Sequence, residues 1–427
     1  MDATPKQGES SPFNRTAQHD AKRAAILSQA AKLFNSKGSR ATTLKDIAES
    51  LGLTKTSLYY YVKTKEELIY QCYMAALARH HATLDDIERT YTDPLERASA
   101  FFLQQFESWL AARDGKDVYI AALLEIASLK GPHREEVEKQ YIRMFTRLRQ
   151  YLRDGVSSGV LRKELDPTSA TRAILGSVEW IFYWLHAADD EEVRSIARQA
   201  MNILAHGLCA DGKAYVPAQL SFENDSLIGA QGFNREQQNR LKQLAFYKTG
   251  TWFFNKKGFN GSSLDEIAEH LNVSKGAFYY HIKNKEDLLF NCYSYSLDTV
   301  ERIYDKASHS DGTGLQQMEE ACRRIFHVQN TDDGPLVRYN TITSLPADRR
   351  KLILKRTNAA NSRFGDFIRR GIDDGSLRDE SVFIAQNLIT GAINASMDIK
   401  LWRRVDNIDE AAIDYFDIFF NGLLPRN

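Results

Sequence analysis

Two short stretches of the chain bring hydroxyl, ammonium and aromatic groups together at helical spacing. The first runs Thr54-Lys55-Thr56-Ser57-Leu58-Tyr59-Tyr60, with Lys63 and Lys65 following. The second runs Ser274-Lys275-Gly276-Ala277-Phe278-Tyr279-Tyr280-His281, with Lys283 and Lys285 following. Hydroxyls and ammonium groups bond phosphate oxygens and base edges, and a helix N-terminus adds a positive dipole toward phosphate. The chemistry such groups offer is recognition of a polyanion rather than catalysis. Nucleophile elbow, phosphate loop, zincin spacing and dinucleotide fingerprint are all absent from the sequence, so no catalytic, metal or cofactor residues are assigned.

These groups need elements to hold them. Leu44, Ile47, Ala48 and Leu51 form one apolar stripe, the inner face of a short helix. Gly52 allows a tight turn, and Thr54 is a good N-cap for a second short helix. Leu58 and Val62 continue the buried face, while Lys55, Thr56, Tyr59 and Tyr60 project outward. Two short helices across a tight turn make a helix-turn-helix, whose second helix enters the major groove. In the second stretch Asn272 stands where the first has Gly52, and Asn tolerates the same left-handed turn.

The chain repeats itself. TLKDIAESLGLTKTSLYYYVKTKEELIYQCY (43–73) aligns without gaps on SLDEIAEHLNVSKGAFYYHIKNKEDLLFNCY (263–293), with 14 of 31 positions identical. RDGVSSGVLR (153–162) matches RRGIDDGSLR (369–378), and Trp184 falls near Trp402 in what read as comparable late helices. The whole unit is therefore doubled. The reading divides the chain into a disordered tail (1–19), a first head (20–73) and a first helical domain (74–210). A linker (211–234), a second head (235–293) and a second helical domain (294–427) follow. Helical periodicity dominates, alternating strand patterns are absent, and the fold class is all-α.

Charge supports this layout. The 427 residues balance at 56 basic against 56 acidic, yet residues 13–73 hold ten Lys/Arg against five Asp/Glu, and 233–293 hold nine against six. Local basic segments on an otherwise acidic chain suit nucleic-acid contact. The four cysteines are scattered and form no C-x-x-C pair, and no apolar run approaches a membrane span. The polar N-terminus has no apolar signal region, and a reduced, cytoplasmic compartment is expected.

The two helix-turn-helix segments, each behind an amphipathic helix, resemble the tetracycline-repressor (TetR) family of bacterial transcription regulators. The likeness is specific over about 50 residues in each unit. It implies a DNA-binding head followed by a helical domain that holds an effector pocket and ends in two dimerising helices. Ordinary members have one such unit; this chain fuses two. The resemblance places DNA contacts on Thr42, Thr43, Lys55, Thr56, Tyr59, Tyr60 and Lys65 in the first head. In the second they fall on Ser262, Ser263, Lys275, Gly276, Tyr279, Tyr280, His281 and Lys285. By analogy, helical aromatics line the effector pockets: Phe106, Trp109, Tyr119, Trp180, Tyr183 and Trp184 in unit one, and Phe326, Tyr339 and Trp402 in unit two. The implied function is a ligand-responsive repressor released from its operator by a small, largely apolar effector. The alternative is a module in which only one head contacts DNA. The dimer helices, about 168–187 with 190–209 and 380–402 with 407–424, can pair within one chain or between two. Non-identical heads imply an imperfect or asymmetric palindrome as the operator.

Overall fold

The computed structural model describes residues 12–123, 126, 129–185, 189–210, 212, 215–222, 235–331, 334–397, 399 and 402–426. Sixteen α-helices stand among them. Unit one comprises α1 (Pro12–Ala41), α2 (Leu44–Ser50), α3 (Lys55–Tyr59), α4 (Lys65–Thr90), α5 (Pro94–Arg113), α6 (Gly131–Ser158), α7 (Pro167–Trp180) and α8 (Asp190–His206). Unit two repeats the order with α9 (Arg235–Gly261), α10 (Leu264–His270), α11 (Lys275–His281), α12 (Lys285–His309), α13 (Gly314–Asn330), α14 (Ala347–Asp373), α15 (Val382–Ala395) and α16 (Ile408–Asn421). Named strands are absent among the described residues; a single isolated bridge pairs Cys209 with Leu377.

The tail is shorter than the sequence suggests, because α1 already starts at Pro12. Residues 1–11 lie outside the described residues. The helical run of α1 breaks at Gly38 (φ 77°) and that of α9 at Gly258 (φ 67°), each with a kink. The three helices that follow α1 and the three that follow α9 have side-chain N-caps at matching positions. Thr43, Thr54 and Thr64 cap α2, α3 and α4, and Ser263, Ser274 and Asn284 cap α10, α11 and α12. Each cap stabilises by about 1 kcal/mol. The turn residues agree as well: Gly52 has φ 64° and Asn272 φ 53°.

Helices α7, α8, α15 and α16 pack into a four-helix bundle that joins the two units, with α7 against α15 at its centre. There the backbones touch. A Cβ added to Gly391 would lie 2.7 Å from the Gly176 carbonyl oxygen, and one added to Gly176 would lie 3.0 Å from the Gly391 oxygen. Ser177 donates its hydroxyl to Leu388 O at 2.9 Å.

The far end of the bundle is closed reciprocally. Leu208 N donates to Phe419 O (2.8 Å), and Leu423 N donates to Leu204 O (2.9 Å). Arg162 Nε donates to Gly422 O at 2.6 Å, while Arg378 donates to Gly207 O at 2.7 Å. These are the final arginines of the second repeated motif, and Arg162 also pairs with Asp417. The backbone contacts and the arginine-to-carbonyl bonds thus recur in both directions, the pattern of an isologous interface built inside one polypeptide, whereas Arg378 pairs with Glu380 of its own unit.

The linker is not merely a spacer. Residues 215–222 lie along α13, where Tyr215 donates to Glu319 (2.8 Å), Arg323 donates to Ala218 O (2.7 Å) and Arg324 donates to Ser221 O (3.0 Å). Arg323 is 1% exposed and also pairs with Glu319 and with Asp409 at 2.6 Å. Burial holds the Glu319 carboxyl above its ordinary range, opposed by the Arg323 charge. A buried charge needs such partners.

Candidate nucleic-acid interface and cavity

The two recognition helices present matching surfaces. On α3 only Leu58 is buried; Lys55, Thr56 and Tyr59 are exposed, and Tyr60, just beyond, is 72% exposed. On α11 only Phe278 is buried; Lys275, Gly276 and Tyr279 are exposed, and Tyr280 is 85% exposed. Large aromatics are thus left in solvent at the same place in both heads. Nothing lies within 4 Å of where a Gly276 side chain would begin.

The residues carried over from the family do not all share this face. Thr43 and Ser263 are exposed N-caps, and Thr43 forms a reciprocal capping box with Asp46. The Thr43 hydrogen bonds hold the Asp46 carboxyl below its usual value. Thr42 and Ser262, by contrast, are 0% and 4% exposed. Their hydroxyls donate back to Gly38 O (3.0 Å) and Gly258 O (2.7 Å), across the kinks of α1 and α9. Both therefore depart from the expected solvent-facing position. Lys65 and Lys285 open α4 and α12 and are half-buried; Lys285 donates to Ser262 O at 2.9 Å and lies 4.5 Å from the Phe259 ring centre. His281 is also half-buried, with Tyr280 and Phe246 beside it.

One residue was missed in the sequence reading. Asp265 stands where head one has Lys45. It takes the Lys275 ammonium at 2.6 Å and the Tyr279 hydroxyl at 3.2 Å. The hydrogen bond that Lys275 donates to Asp265 raises the Lys275 pKa and lowers that of Asp265. In head one Lys55 instead lies over the Tyr59 ring, 5.5 Å from its centre, and Lys45 pairs with Glu49 at 3.5 Å. A charge reversal inside the repeat was the available signal.

The aromatics assigned to pockets scatter. Trp109 and Tyr119 do line a cavity in unit one, enclosing about 640 Å³ of atom-free space with the open mouth included. His80, Gln105, Tyr141 and Met144 join them. Phe106 is core, packed on Phe102, and Phe326 is core beside Tyr415 and Phe416. Trp180 and Tyr183 meet Tyr339 across the units, and Trp184 packs on Phe383 of unit two. Trp402 lies on a turn rather than a helix, and its ring enters unit one against Phe145 and Tyr141. The rings that cross between units share one cause: apolar rings at a unit boundary are buried best by the neighbouring unit.

At the cavity wall Tyr141 donates to Glu179 at 2.8 Å, and Arg172 pairs with Glu179 at 3.6 Å. Burial, helped by His81 and Arg79, pushes the His80 pKa down to about 4, so its ring is neutral near pH 7. Groups of three or more His, Cys, Asp or Glu that could hold a metal are absent among the described residues, where no helix is long and apolar enough to cross a membrane.

The chain matches the family described as bacterial regulatory proteins, tetR family, over residues 26–72 and 250–292. It matches the tetracyclin repressor-like C-terminal domain over 92–208 and 311–406. The HTH-type transcriptional repressor KstR2 of Mycobacterium tuberculosis is 26% identical over 196 residues, 46% of this chain and 96% of that protein. The biofilm operon negative regulator IcaR of Staphylococcus epidermidis is 36% identical over 63 residues, 14% of this chain and 34% of IcaR. The solved TetR-family regulator PfmR of Thermus thermophilus is 31% identical, with 42% of this chain covering 95% of it at a TM-score of 0.36. Two matches to each half of the family's architecture, and whole relatives spanned by less than half of the chain, lead to one conclusion: this protein belongs to the TetR family of DNA-binding transcription regulators, as two family units fused in one polypeptide.

Proposed function

We propose that the chain is a repressor that binds one operator with both of its own heads and leaves it when a small, largely apolar effector enters the unit-one cavity. The observation that carries this reading is the reciprocal four-helix bundle within one chain, which makes a second chain unnecessary for pairing two heads. KstR2 and IcaR, named as a repressor and a negative regulator, support the direction of control.

Lys55, Thr56, Tyr59 and Tyr60 of head one, with Lys275, Gly276, Tyr279 and Tyr280 of head two, face the DNA. Lys65 and Lys285 stand at the helix starts next to the backbone. Thr42 and Ser262 hold the kink that sets the angle of the helix-turn-helix. Effector binding changes head spacing, so two heads no longer fit successive major-groove faces.

The test is selection from random duplexes, followed by sedimentation of the complex. The expected result is two unequal half-sites and one chain per duplex. A symmetric site carrying two chains would overturn the reading.

A further inference from the structure

One segment of unit two meets both heads. It runs from Leu336 to Leu345 and carries a short 3-10 helix, Tyr339–Ser344. Its apolar side is rooted in head two: Val337, Ile342 and Leu345 belong to the same buried cluster as Phe246, Phe253 and Phe278. Asn255 of α9 donates to Leu336 O (2.8 Å) and accepts from Arg338 N (2.9 Å). Tyr293 of α12 donates its hydroxyl to Arg338 O at 2.8 Å and lies 2.9 Å from the Thr341 hydroxyl. The segment therefore moves with head two.

The same segment also meets unit one. Tyr339 packs on Trp180 and Tyr183, with ring centres 5.0 and 5.1 Å away. Thr343 reaches the kink of α1 in head one. A Cβ added to Gly38 would lie 2.9 Å from both Cβ and Cγ2 of Thr343, closer than real contacts allow. The left-handed φ of 77° asks for glycine at the same place. Beside this contact the surfaces part: Phe34, Ile69 and Tyr73 of head one line a crevice with Ile342 and Tyr183, about 480 Å³ with its open mouth included. Head one thus rests on unit two at its kink, with open space next to the point of contact. Head two is met from unit one near its own kink, where Arg134 of α6 donates to Lys256 O at 3.5 Å.

The Gly38 kink is joined to the recognition helix by a short chain of bonds. The Thr42 hydroxyl returns to Gly38 O (3.0 Å), Thr43 caps α2, and Leu53 N closes the turn onto Ala48 O (2.8 Å) just before α3. A push on the kink is therefore a push on the head's DNA-facing helix. On B-form DNA each base pair inserted between two half-sites moves them about 3.4 Å apart and turns them by about 35°. Heads braced against one another accept one such spacing and reject its neighbours.

We propose that Thr343 is a positioning residue for DNA recognition: set against Gly38 on a segment rooted in head two, it fixes the separation of the two recognition helices and so selects the half-site spacing of the operator. This rests on the reading that one chain places both heads on one operator, but its first test does not need DNA. The four native cysteines are buried, and Glu49 and Glu269 are exposed at equivalent places outside the recognition helices. Spin labels on Glu49→Cys and Glu269→Cys should give one narrow distance distribution by pulsed electron double resonance. Thr343→Trp, a wedge at the kink, should displace its mean, and Thr343→Ala should broaden it. An unchanged distribution in both variants would overturn the proposal. On duplexes carrying the selected half-sites, one inserted base pair should cost the parent about tenfold in affinity, the scale of one mismatched contact. Thr343→Ala should reduce that cost to less than about threefold while binding a single half-site as the parent does. Weaker single-site binding with the spacing profile intact would reduce Thr343 to a packing residue, and a parent indifferent to the insertion would also overturn the proposal. Two chains on each duplex, with a label distance that Thr343→Trp still moves, would refute the one-chain reading and leave the brace standing.

Discussion

The crossing of α7 and α15 gives the sharpest test of the intrachain bundle. Gly391→Leu introduces a Cβ 2.7 Å from both the Gly176 carbonyl oxygen and the Trp180 Cβ, where ordinary contact starts at 3.4 Å. The helices must separate by about 0.7 Å before the rest of the leucine is placed. A gap of that size forfeits roughly a quarter to a half of each dispersion contact along the seam. Overpacking a rigid site costs about 1–3 kcal/mol, and backbone against backbone belongs at the upper end. The expected loss is about 3 kcal/mol, read by urea unfolding with tryptophan fluorescence. Gly276→Ala serves as control, because nothing lies within 4 Å of its added Cβ. It should change stability by less than about 0.5 kcal/mol, or raise it slightly. Because the bundle is intramolecular, the parent's midpoint should be the same at protein concentrations about fifty-fold apart. A midpoint that climbs with concentration, or a Gly391→Leu variant as stable as its parent, would refute the packing argument.

Three further outcomes are expected. The His80 pKa is lowered from 6.5 to about 4 in the fold, so between those pH values the unfolded chain takes a proton that the folded chain refuses. Stability should therefore fall as pH drops through this window, by at most about 3 kcal/mol, and urea unfolding at pH 7.5 and 4.5 should show a smaller fall in His80→Leu. Asp265→Lys, which restores the head-one arrangement, should free Lys275 and steepen the dependence of log affinity on log salt by about 0.9 per added phosphate contact; an unchanged slope would exclude Asp265 as a restraint on head two. Arg323→Met should cost about 3–5 kcal/mol by stranding the Glu319 and Asp409 carboxyls, and should speed limited proteolysis within residues 215–222.

What the sequence disclosed follows the range of the interactions. The heads were legible because their determinants are local: a cap, a turn and an apolar stripe lie within 25 residues and occur twice. Even the substitution of Asn272 for glycine could be read correctly, since left-handed backbone depends on residue type. Thr42 and Ser262 were placed on the DNA face because their burial depends on the kinks at Gly38 and Gly258, which a helical pattern does not show. The linker pattern gave no hint that Arg323 and Glu319 are covered by residues 215–222. The aromatics misled for a similar reason: spacing says that Trp402 and Tyr339 are buried, but not that unit one buries them. The cavity in unit one depends on how side chains from several helices sum in volume.

Covalent fusion changes which contacts must stay symmetric. In a homodimer every interface residue meets the twofold copy of its environment, so a one-sided contact cannot exist singly. Here the bundle keeps reciprocity where backbone touches backbone, at Gly176 with Gly391 and at Gly207 with Gly422. Changing one member of such a pair forces both helices to move. Away from the axis the constraint lapses. Trp180 and Tyr183 share Tyr339 from the other unit, Trp402 enters a core of unit one beside the cavity, and Trp184 packs on Phe383 of unit two. Unit two therefore contributes its own ring to the core of unit one beside the cavity. Contacts of this kind can differ between two fused units, a freedom closed to identical ones.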